Sequence, residues 1–227
     1  MTNVPQDARL EIKFIADVTR HHSLLHKLRT HRFGFSVAYP PRQVNNIYFD
    51  NYDFDTYQAS TAGISERTKI RYRWYGPSLL PAAGALEIKC KRNTFGWKFQ
   101  YGVLRDPSQS GATWPAIKQD IERQIPLEGA QWLRLYPWPV LLNRYQRDYY
   151  VSRDQQVRVT LDSKLAAWDQ RFKSRPNLQN KSNLPALVVL EVKSHRRHEA
   201  WAQELINELP LRISQHSKYV AAMGNLL

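Results

Sequence analysis

One tetrapeptide pattern occurs three times in this chain and constrains the fold more than any other feature. Leu-Glu-Ile-Lys occupies residues 10–13 and 86–89, and residues 190–193 repeat it with Val192 in place of isoleucine. Successive side chains of a β-strand point to opposite faces, so each copy places its acid and base on one face and its apolar residues on the other. The copies lie 76 and 104 positions apart, which does not fit a tandem repeat. We therefore expect three separate strands that each present an acid–base pair.

Other predicted strands also carry charge at alternate positions. The charged positions on these faces are Arg9, Glu11, Lys13, Lys69, Arg71, Arg73, Glu87, Lys89, Lys91, Arg144, Arg158, Asp162, Glu191 and Lys193. Ten of these residues are basic and four are acidic. Two arrangements fit the pattern: an antiparallel sheet with one solvated face, or a closed barrel with a polar lumen and helices outside. The alternation alone does not choose between them.

Composition limits the kinds of protein that this chain can form. Its 227 residues, with 42% hydrophobic and 12% aromatic side chains, favour one folded domain over a disordered chain. The net charge of +13 predicts an anionic partner, such as polyphosphate, a nucleotide, nucleic acid or an acidic membrane surface. The single cysteine, Cys90, excludes an internal disulfide. The sequence has neither a signal peptide nor an 18-residue apolar run, so we expect a soluble, cytoplasmic protein.

Periodicity and turn residues predict a chain rich in strands with helices between them. Strands are expected at residues 9–15, 44–50, 68–75, 85–92, 97–104, 140–151, 156–163, 165–172 and 186–194, and helices at 17–30, 114–124, 128–135, 198–209 and 217–227. Pro40 and Pro41 are expected to break the chain before the second strand. We find no linker long enough to separate two domains.

Seven segments of the sequence, in order, resemble the VTC domain. They are residues 44–51 (Val-Asn-Asn-Ile-Tyr-Phe-Asp-Asn), 69–76, 86–89, 143–145 (Asn-Arg-Tyr), 158–162, 189–193 and 217–219 (Ser-Lys-Tyr). This domain is the polyphosphate polymerase domain of the vacuolar transporter chaperone complex and its bacterial relatives. The family belongs to the triphosphate tunnel metalloenzymes, which are related to CYTH proteins. The resemblance implies a single α+β domain over residues 1–227, built as a closed antiparallel barrel of about eight strands with helices packed outside.

The resemblance also implies a reaction, in which the terminal phosphoryl group of ATP moves onto phosphate or polyphosphate. The catalytic cations would be Arg71, Arg73, Lys89 and Arg144, and further substrate contacts would come from Lys13, Lys98, Lys193, Lys218 and Arg158. Glu191 matches the family's metal-binding glutamate and would hold Mn²⁺ or Mg²⁺, which prefer oxygen ligands. Glu11 and Glu87 would orient a lysine or a metal-bound water. A membrane partner protein is a further possibility that the resemblance raises.

Two positions depart from the family pattern and keep other functions open. Ser60 and Gln215 stand where the family has basic residues, which leaves a non-catalytic polyphosphate or polyanion binder as an alternative. A triphosphate hydrolase of the same fold is a second alternative. The Glu-x-Glu-x-Lys pattern of CYTH hydrolases is incomplete here, because Arg9 replaces its first glutamate. That replacement favours the polymerase over the hydrolase.

Nucleic-acid binding is a less favoured interpretation of the basic charge. Residues 71–74 (Arg-Tyr-Arg-Trp) combine cations with aromatic rings, but in a strand the rings face away from the arginines. A stacking surface beside a phosphate-binding track needs both on one side. We therefore expect ATP and phosphate chains as ligands.

Overall fold

The computed structural model describes residues 9–93, 95–110, 113–209, 211–214 and 217–226. Within them the chain forms an α+β fold, as the sequence predicts. The strands are β1 (Arg9–Asp17), β2 (Ser36–Asp50), β3 (Glu66–Tyr75), β4 (Gly84–Arg92), β5 (Phe95–Val103), β6 (Trp138–Val151), β7 (Val157–Asp169), β8 (Leu187–His195) and β9 (Ile213–Ser214). The helices are α1 (His21–Thr30), α2 (Asp55–Thr61), α3 (Trp114–Gln124), α4 (Leu127–Leu135), α5 (Glu199–Glu208) and α6 (Lys218–Gly224).

The strands form one sheet in the order β5-β4-β3-β2-β6-β7-β8-β1-β9. The ladders β1–β8, β1–β9, β2–β3, β3–β4, β4–β5 and β7–β8 are antiparallel. Among the described residues no pairing joins the two ends of this order, β5 and β9. Hydrogen bonds therefore do not close the sheet here, and the predicted closed barrel of about eight strands is not confirmed.

Contacts between residues divide the chain into two compact units. The first unit draws its described residues from Met1–Arg42, Tyr145–Leu165 and Pro185–Ser217. The second comprises the described parts of Gln43–Arg144, Ala166–Leu184 and Lys218–Leu227.

In the second unit, the apolar faces of the strands pack against helices. Ile70, Tyr72 and Trp74 alternate along β3 and have no solvent exposure. They share a core with Leu86 and Ile88 of β4, and this core also includes residues of α3 and α4. Burying a large apolar side chain stabilises a fold by about 1.5–3 kcal/mol. The alternation therefore fixes which face of this sheet region is buried.

The first unit is built on the same principle. Phe14 of β1 and Leu190 of β8 are paired in register and fully buried. They belong to a core that also contains Leu28 of α1 and Leu205 of α5. The Glu and Lys side chains of β1 and β8 occupy the opposite face, as the tetrapeptide pattern predicts.

Helix α6 packs on the other side of the second unit's sheet region. Tyr219 stacks on Tyr48 at 4.8 Å between ring centroids, and Tyr48 lies opposite Arg71 in the β2–β3 ladder. The hydroxyl of Tyr219 donates to Asp50 at 2.6 Å. Opposite residues of a ladder share a face, so α6 lies on the face that carries Arg71. This places its first residue, Lys218, on the charged side of the unit.

Two predicted chain breaks are wrong. Pro40 and Pro41 lie inside β2, whose ladder with β3 involves only Val44–Phe49, so their missing N–H groups do not interrupt that ladder. The separate strand predicted at residues 165–172 is instead the continuation of β7, which ends at Asp169. Lys164 has a positive φ of 53°, a local irregularity at the point where the pattern suggested two strands.

No helix in the described part of the chain is both long and apolar enough to span a membrane.

Gly84 provides a test of the β3–β4 packing. It lies opposite Trp74, and a Cβ added there would approach the carbonyl oxygen of Arg73 to 2.1 Å. Gly84→Ala should therefore lower the free energy of unfolding by about 1–3 kcal/mol in urea denaturation. Gly102→Ala in β5 is the matched control, because an added Cβ there meets no other heavy atom within 4 Å. Equal losses in the two variants would contradict this packing.

Candidate functional site: two charged sheet faces

The charged face of the second unit is strongly cationic. Three adjacent strands supply it with Lys69, Arg71 and Arg73 from β3, Glu87 and Lys89 from β4, and Lys98 from β5. In register, Lys69 lies opposite Lys89, and Lys89 lies opposite Lys98. Like charges that face each other across strands are destabilising unless counter-charges compensate. A bound anion would supply such compensation.

Glu87 is the carboxylate around which these cations gather. Its side chain accepts from Arg71 Nε at 2.7 Å and from Lys98 Nζ at 2.9 Å, and Arg73 Nη1 lies 3.7 Å away. Lys98 also donates to Gln100 at 2.7 Å. Glu87 is only 3% exposed, so these contacts are shielded from water. They hold three cations in fixed positions on the face.

The charge state of Glu87 follows from this environment. Burial by itself raises the pKa of a carboxyl group, because it disfavours the charged form. The neighbouring Arg71, Arg73 and Lys98 outweigh burial and hold the pKa of Glu87 well below its usual value. The carboxylate is therefore ionised at neutral pH and neutralises only part of the surrounding positive charge.

The charged face of the first unit has a different balance. Lys13 lies opposite Glu191 in the β1–β8 ladder, with 3.6 Å between Nζ and Oε1. In the same ladder Glu11 lies opposite Lys193, with 3.7 Å between Oε2 and Nζ. Within the strands, Lys13 lies 2.8 Å from Glu11, and Lys193 lies 3.1 Å from Glu191. Each acid of this four-residue group therefore has a base beside it both along its own strand and across the ladder. The group has no net charge.

Arg147 joins this group, and the sequence analysis did not propose it. Its Nε and Nη2 donate to the two carboxylate oxygens of Asp162 at 2.5 and 2.7 Å, and Nη2 lies 3.7 Å from Glu191. Burial lowers the pKa of Arg147, but its interactions with Tyr145 and with the carboxylates of Asp162 and Glu191 raise it well above its usual value. Arg147 therefore remains charged and fixes the acidic side chains beside it.

Arg144 is not on the charged face to which the sequence analysis assigned it. Its Nε donates to Asn45 at 2.7 Å, and Asn45 lies opposite the buried Trp74. Asn143, the preceding residue, instead bonds to Asn46, which lies opposite Arg73. The prediction that Arg144 lies on the charged face is therefore wrong, and the preceding residue, Asn143, lies there instead. Following the alternation from Asn143 to Tyr145 and Arg147 would have found the correct face.

The other predicted substrate contacts have separate positions. Arg158 lies opposite Lys193 in the β7–β8 ladder and is exposed. Lys218 begins α6 and is half-buried. Ser60, where the family has a basic residue, is half-buried in α2. Gln215 and the side chain of Arg9 lie outside what the structure describes.

Glu11 and Glu191 of the first unit have the chemistry that a divalent ion requires. Mg²⁺ in proteins usually combines one or two carboxylates with substrate phosphates and water, and Mn²⁺ also favours oxygen ligands. Burial raises the pKa of Glu191, but Lys193 and Lys13 outweigh it and hold the pKa well below its usual value. Glu191 is therefore ionised, as a metal ligand must be. No group of three or more His, Cys, Asp or Glu side chains within the described ranges could hold an ion, so phosphate or water oxygens would complete the coordination.

Fold and site together define an α+β protein whose antiparallel sheet presents a cationic face suited to polyanions. The chain belongs to the VTC domain family, whose sequence model matches residues 8–227. The resemblance seen in the sequence is thereby confirmed over nearly the whole chain. No curated protein matches this chain.

Two solved structures are similar in fold. HpAC1 from Hippeastrum, described as a putative adenylyl cyclase with a dominant triphosphatase activity, has a TM-score of 0.51 and 14% identity, with 95% of this chain and 96% of that chain covered. PH1819 from Pyrococcus horikoshii OT3 has a TM-score of 0.50 and 14% identity, with 96% of this chain and 99% of that chain covered. At this level of identity the likeness concerns the fold alone.

The pKa of Glu87 predicts how stability depends on pH. A folded pKa below the ordinary value of 4.5 means that ionised Glu87 stabilises the folded state above that pH, and that this stabilisation is lost as the pH falls. Glu87→Gln should lower the free energy of unfolding at pH 7 by about 3 kcal/mol, because it removes the buried counter-charge of Arg71 and Arg73. It should also make the decline between about pH 5 and pH 3 shallower.

Urea denaturation across this pH range measures both effects. Glu66→Gln is the control, since Glu66 is exposed at the start of β3. A Glu87→Gln variant with the same pH profile as the wild-type protein would contradict this account of the cationic face.

Proposed function

We propose that the protein is a metal-dependent phosphotransferase of the polyphosphate polymerase type. It would transfer the terminal phosphoryl group of ATP to phosphate or polyphosphate and release ADP. The observation that carries this proposal is the cationic face of the second unit, where Arg71, Arg73 and Lys98 contact the carboxylate of Glu87, and Lys69 and Lys89 lie on the same face. Membership of the VTC domain family supports the same reaction.

The direction of the lysine row suits a chain of phosphates. Lys69, Lys89 and Lys98 lie opposite one another on β3, β4 and β5, so they form a row that runs across the strands. Neighbouring strands are about 4.8 Å apart, which gives a row of positive charge about 10 Å long. An extended polyanion lying along this row would meet one lysine at each strand. Compact ammonium groups bind phosphate as point charges and need no particular orientation.

Arg71 and Arg73 have a complementary role in the proposal. A guanidinium offers several donors in one plane and can contact two phosphate oxygens at once. Glu87 fixes Arg71 through Nε and contacts Arg73 through Nη1, which limits the motion of both side chains. Positioned cations stabilise the charge that develops on phosphate oxygens during transfer. Lys89 lies beside them on β4 and adds to this charge.

The transfer itself needs no nucleophilic side chain. An oxygen of the acceptor phosphate attacks the terminal phosphorus of ATP, and the bond from that phosphorus to the bridging oxygen breaks. The electron pair leaves with ADP, and the acceptor grows by one phosphate. The residues of this chain would orient the two reactants and neutralise their charge. Arg144 has no part in this account, because it lies on the opposite face of its strand.

Glu191, with Glu11, would hold Mn²⁺ or Mg²⁺. A bound divalent ion draws electron density from phosphate oxygens and so favours attack on phosphorus. Lys13 and Lys193 contact the same carboxylates and would bind further phosphate oxygens. Arg158 and Lys218 are proposed as outer contacts to the phosphate chain.

The family resemblance supports a further part of the proposal, a closed antiparallel barrel with helices packed outside. Full closure would also remove exposed strand edges. A cytoplasmic location and a membrane partner protein that receives the product are proposed on the same resemblance.

Triphosphate hydrolysis is the second candidate activity. HpAC1, which shares the fold, is described as having a dominant triphosphatase activity. Hydrolysis uses the same activated phosphorus, with water in place of the acceptor phosphate. The two reactions therefore differ in the acceptor and in the products.

Product analysis separates these activities. Purified protein is incubated with ATP and Mn²⁺ or Mg²⁺, and ADP, free phosphate and long-chain polyphosphate are followed over time. ADP release with growth of polyphosphate is the expected result. Free phosphate in equal amount to ADP would favour the hydrolase. Tight polyphosphate binding without turnover would leave a binding module and reject both enzymes.

Glu191→Gln tests the proposed metal ligand. The amide keeps the shape of the side chain but removes its charge, so metal-dependent ADP release should fall by at least about 100-fold. Polyphosphate binding measured by calorimetry should change little, because the cations remain. Glu199→Gln, at an exposed position on α5, is the control variant. A folded Glu191→Gln variant with an unchanged rate would remove Glu191 from this role.

A further inference from the structure

Two pairs of adjacent polar residues build two hydrogen-bond relays on opposite faces of the second unit's sheet region. Asn45 and Asn46 are consecutive on β2, and Asn143 and Arg144 are consecutive on β6. Since neighbouring residues of a strand point to opposite faces, each pair contributes one side chain to each relay. The three asparagines are fully buried. The two relays end differently, and the inference rests on this difference.

The relay on the apolar face is complete. Arg144 Nε donates to Asn45 Oδ1 at 2.7 Å, and Asn45 Nδ2 donates to the carbonyl oxygen of Gly76 at 2.9 Å. A guanidinium can only donate, so it fixes the orientation of the Asn45 amide. The relay begins at a donor and ends at a backbone acceptor within the protein.

The relay on the charged face contains one more hydrogen bond between side chains. Arg73 Nε donates to Asn46 Oδ1 at 2.8 Å, and Asn46 Nδ2 donates to Asn143 Oδ1 at 2.8 Å. Because Arg73 can only donate, it fixes the Asn46 amide, which in turn fixes the Asn143 amide. The last group of the relay is therefore Asn143 Nδ2, a donor.

This last donor has no acceptor among the described residues. The Asn143 side chain has no solvent exposure, so bulk water does not satisfy it either. A buried donor without an acceptor is costly, and most such groups in proteins have a partner. An exception on the same face as Arg73 indicates an acceptor supplied from outside the chain.

We propose that Asn143 Nδ2 donates to a phosphate oxygen of the polyanion bound beside Arg73. The inference rests on the proposed function and adds a neutral donor to a site otherwise built from cations. Phosphate oxygens only accept, which matches a relay that ends in a donor. Because Asn143 is buried, binding requires side chains to move, a common event when ligands bind.

Side-chain amide NMR tests this contact directly. Protein labelled with ¹⁵N is titrated with inorganic tripolyphosphate at constant ionic strength, and the Asn143 side-chain NH₂ signals are assigned through bonds from its backbone. The proposal expects these signals to shift in proportion to the fraction of protein bound. The signals of Asn45, whose relay ends at Gly76, should stay in place and serve as the internal control.

Affinity for tripolyphosphate provides the second measurement. Asn143→Asp keeps the shape of the side chain but replaces the donor with an anionic oxygen, so the dissociation constant should rise at least about tenfold. Asn45→Asp changes the matched relay on the apolar face in the same way and should alter the dissociation constant by less than about twofold. Thermal unfolding of each variant shows that the comparison is made on folded protein.

The possible outcomes separate this inference from the function on which it rests. If tripolyphosphate does not bind to the wild-type protein, both are wrong. If it binds and Lys89→Ala weakens it, while Asn143→Asp binds normally and the Asn143 signals do not move, the cationic site stands and only the inference fails. Equal losses for Asn143→Asp and Asn45→Asp would also overturn it, since that result indicates a general disturbance of the sheet.

Discussion

The strand periodicity of two is the constraint on which the rest of the structure depends. It separates apolar from charged side chains along β1, β3, β4 and β8, so that packing α1, α3, α4 and α5 on the apolar faces leaves the charges together on the other side. The charge that surrounds each Leu-Glu-Ile-Lys segment then depends on the strand that pairs with it. Against another copy in antiparallel register, as in β1 and β8, every glutamate faces a lysine. Against the basic strand β3, the copy in β4 leaves Glu87 among an excess of cations. One pattern therefore yields a balanced face and a cationic face.

The two buried carboxylates show how this difference controls chemistry. Glu87 and Glu191 are both ionised although both are buried, because nearby cations outweigh the cost of burial in each case. Around Glu191 the charges nearly cancel, which leaves carboxylate oxygens suited to a divalent ion. Around Glu87 positive charge remains in excess, which suits phosphate oxygens. The same electrostatic argument therefore supports the proposed metal ligands in the first unit and the proposed phosphate contacts in the second.

The sequence predicted the α+β class, most elements and the charged faces, because alternation is a local property that single strands display. It failed where the alternation is interrupted. Residues 140–142 of β6 are all apolar, so they do not reveal which later residue faces which side, and Arg144 was chosen instead of Arg147. The strand end predicted after residue 163 does not exist, and Lys164, with its positive φ, lies at this point within β7. The alternation did not single out Asn143 and Asn46, because amide side chains occur on either face of a sheet. The hydrogen bond between them also joins strands that are distant in the sequence. Closure of the sheet depends on long-range pairing, which alternation does not encode.

The charge of the acceptor is the physical difference between polymerisation and hydrolysis. Water is neutral and approaches a triphosphate without repulsion, whereas a phosphate acceptor is an anion and must be brought close to another anion. A polymerase therefore needs positive charge beyond that which holds the nucleotide. The second unit places five cations on one face, three of them in contact with Glu87, and its lysine row continues across three strands to Lys98 at the β5 end of the sheet. In the proposed reaction two anionic reactants would share this face, so the excess of positive charge supports the proposal of a phosphate acceptor rather than water.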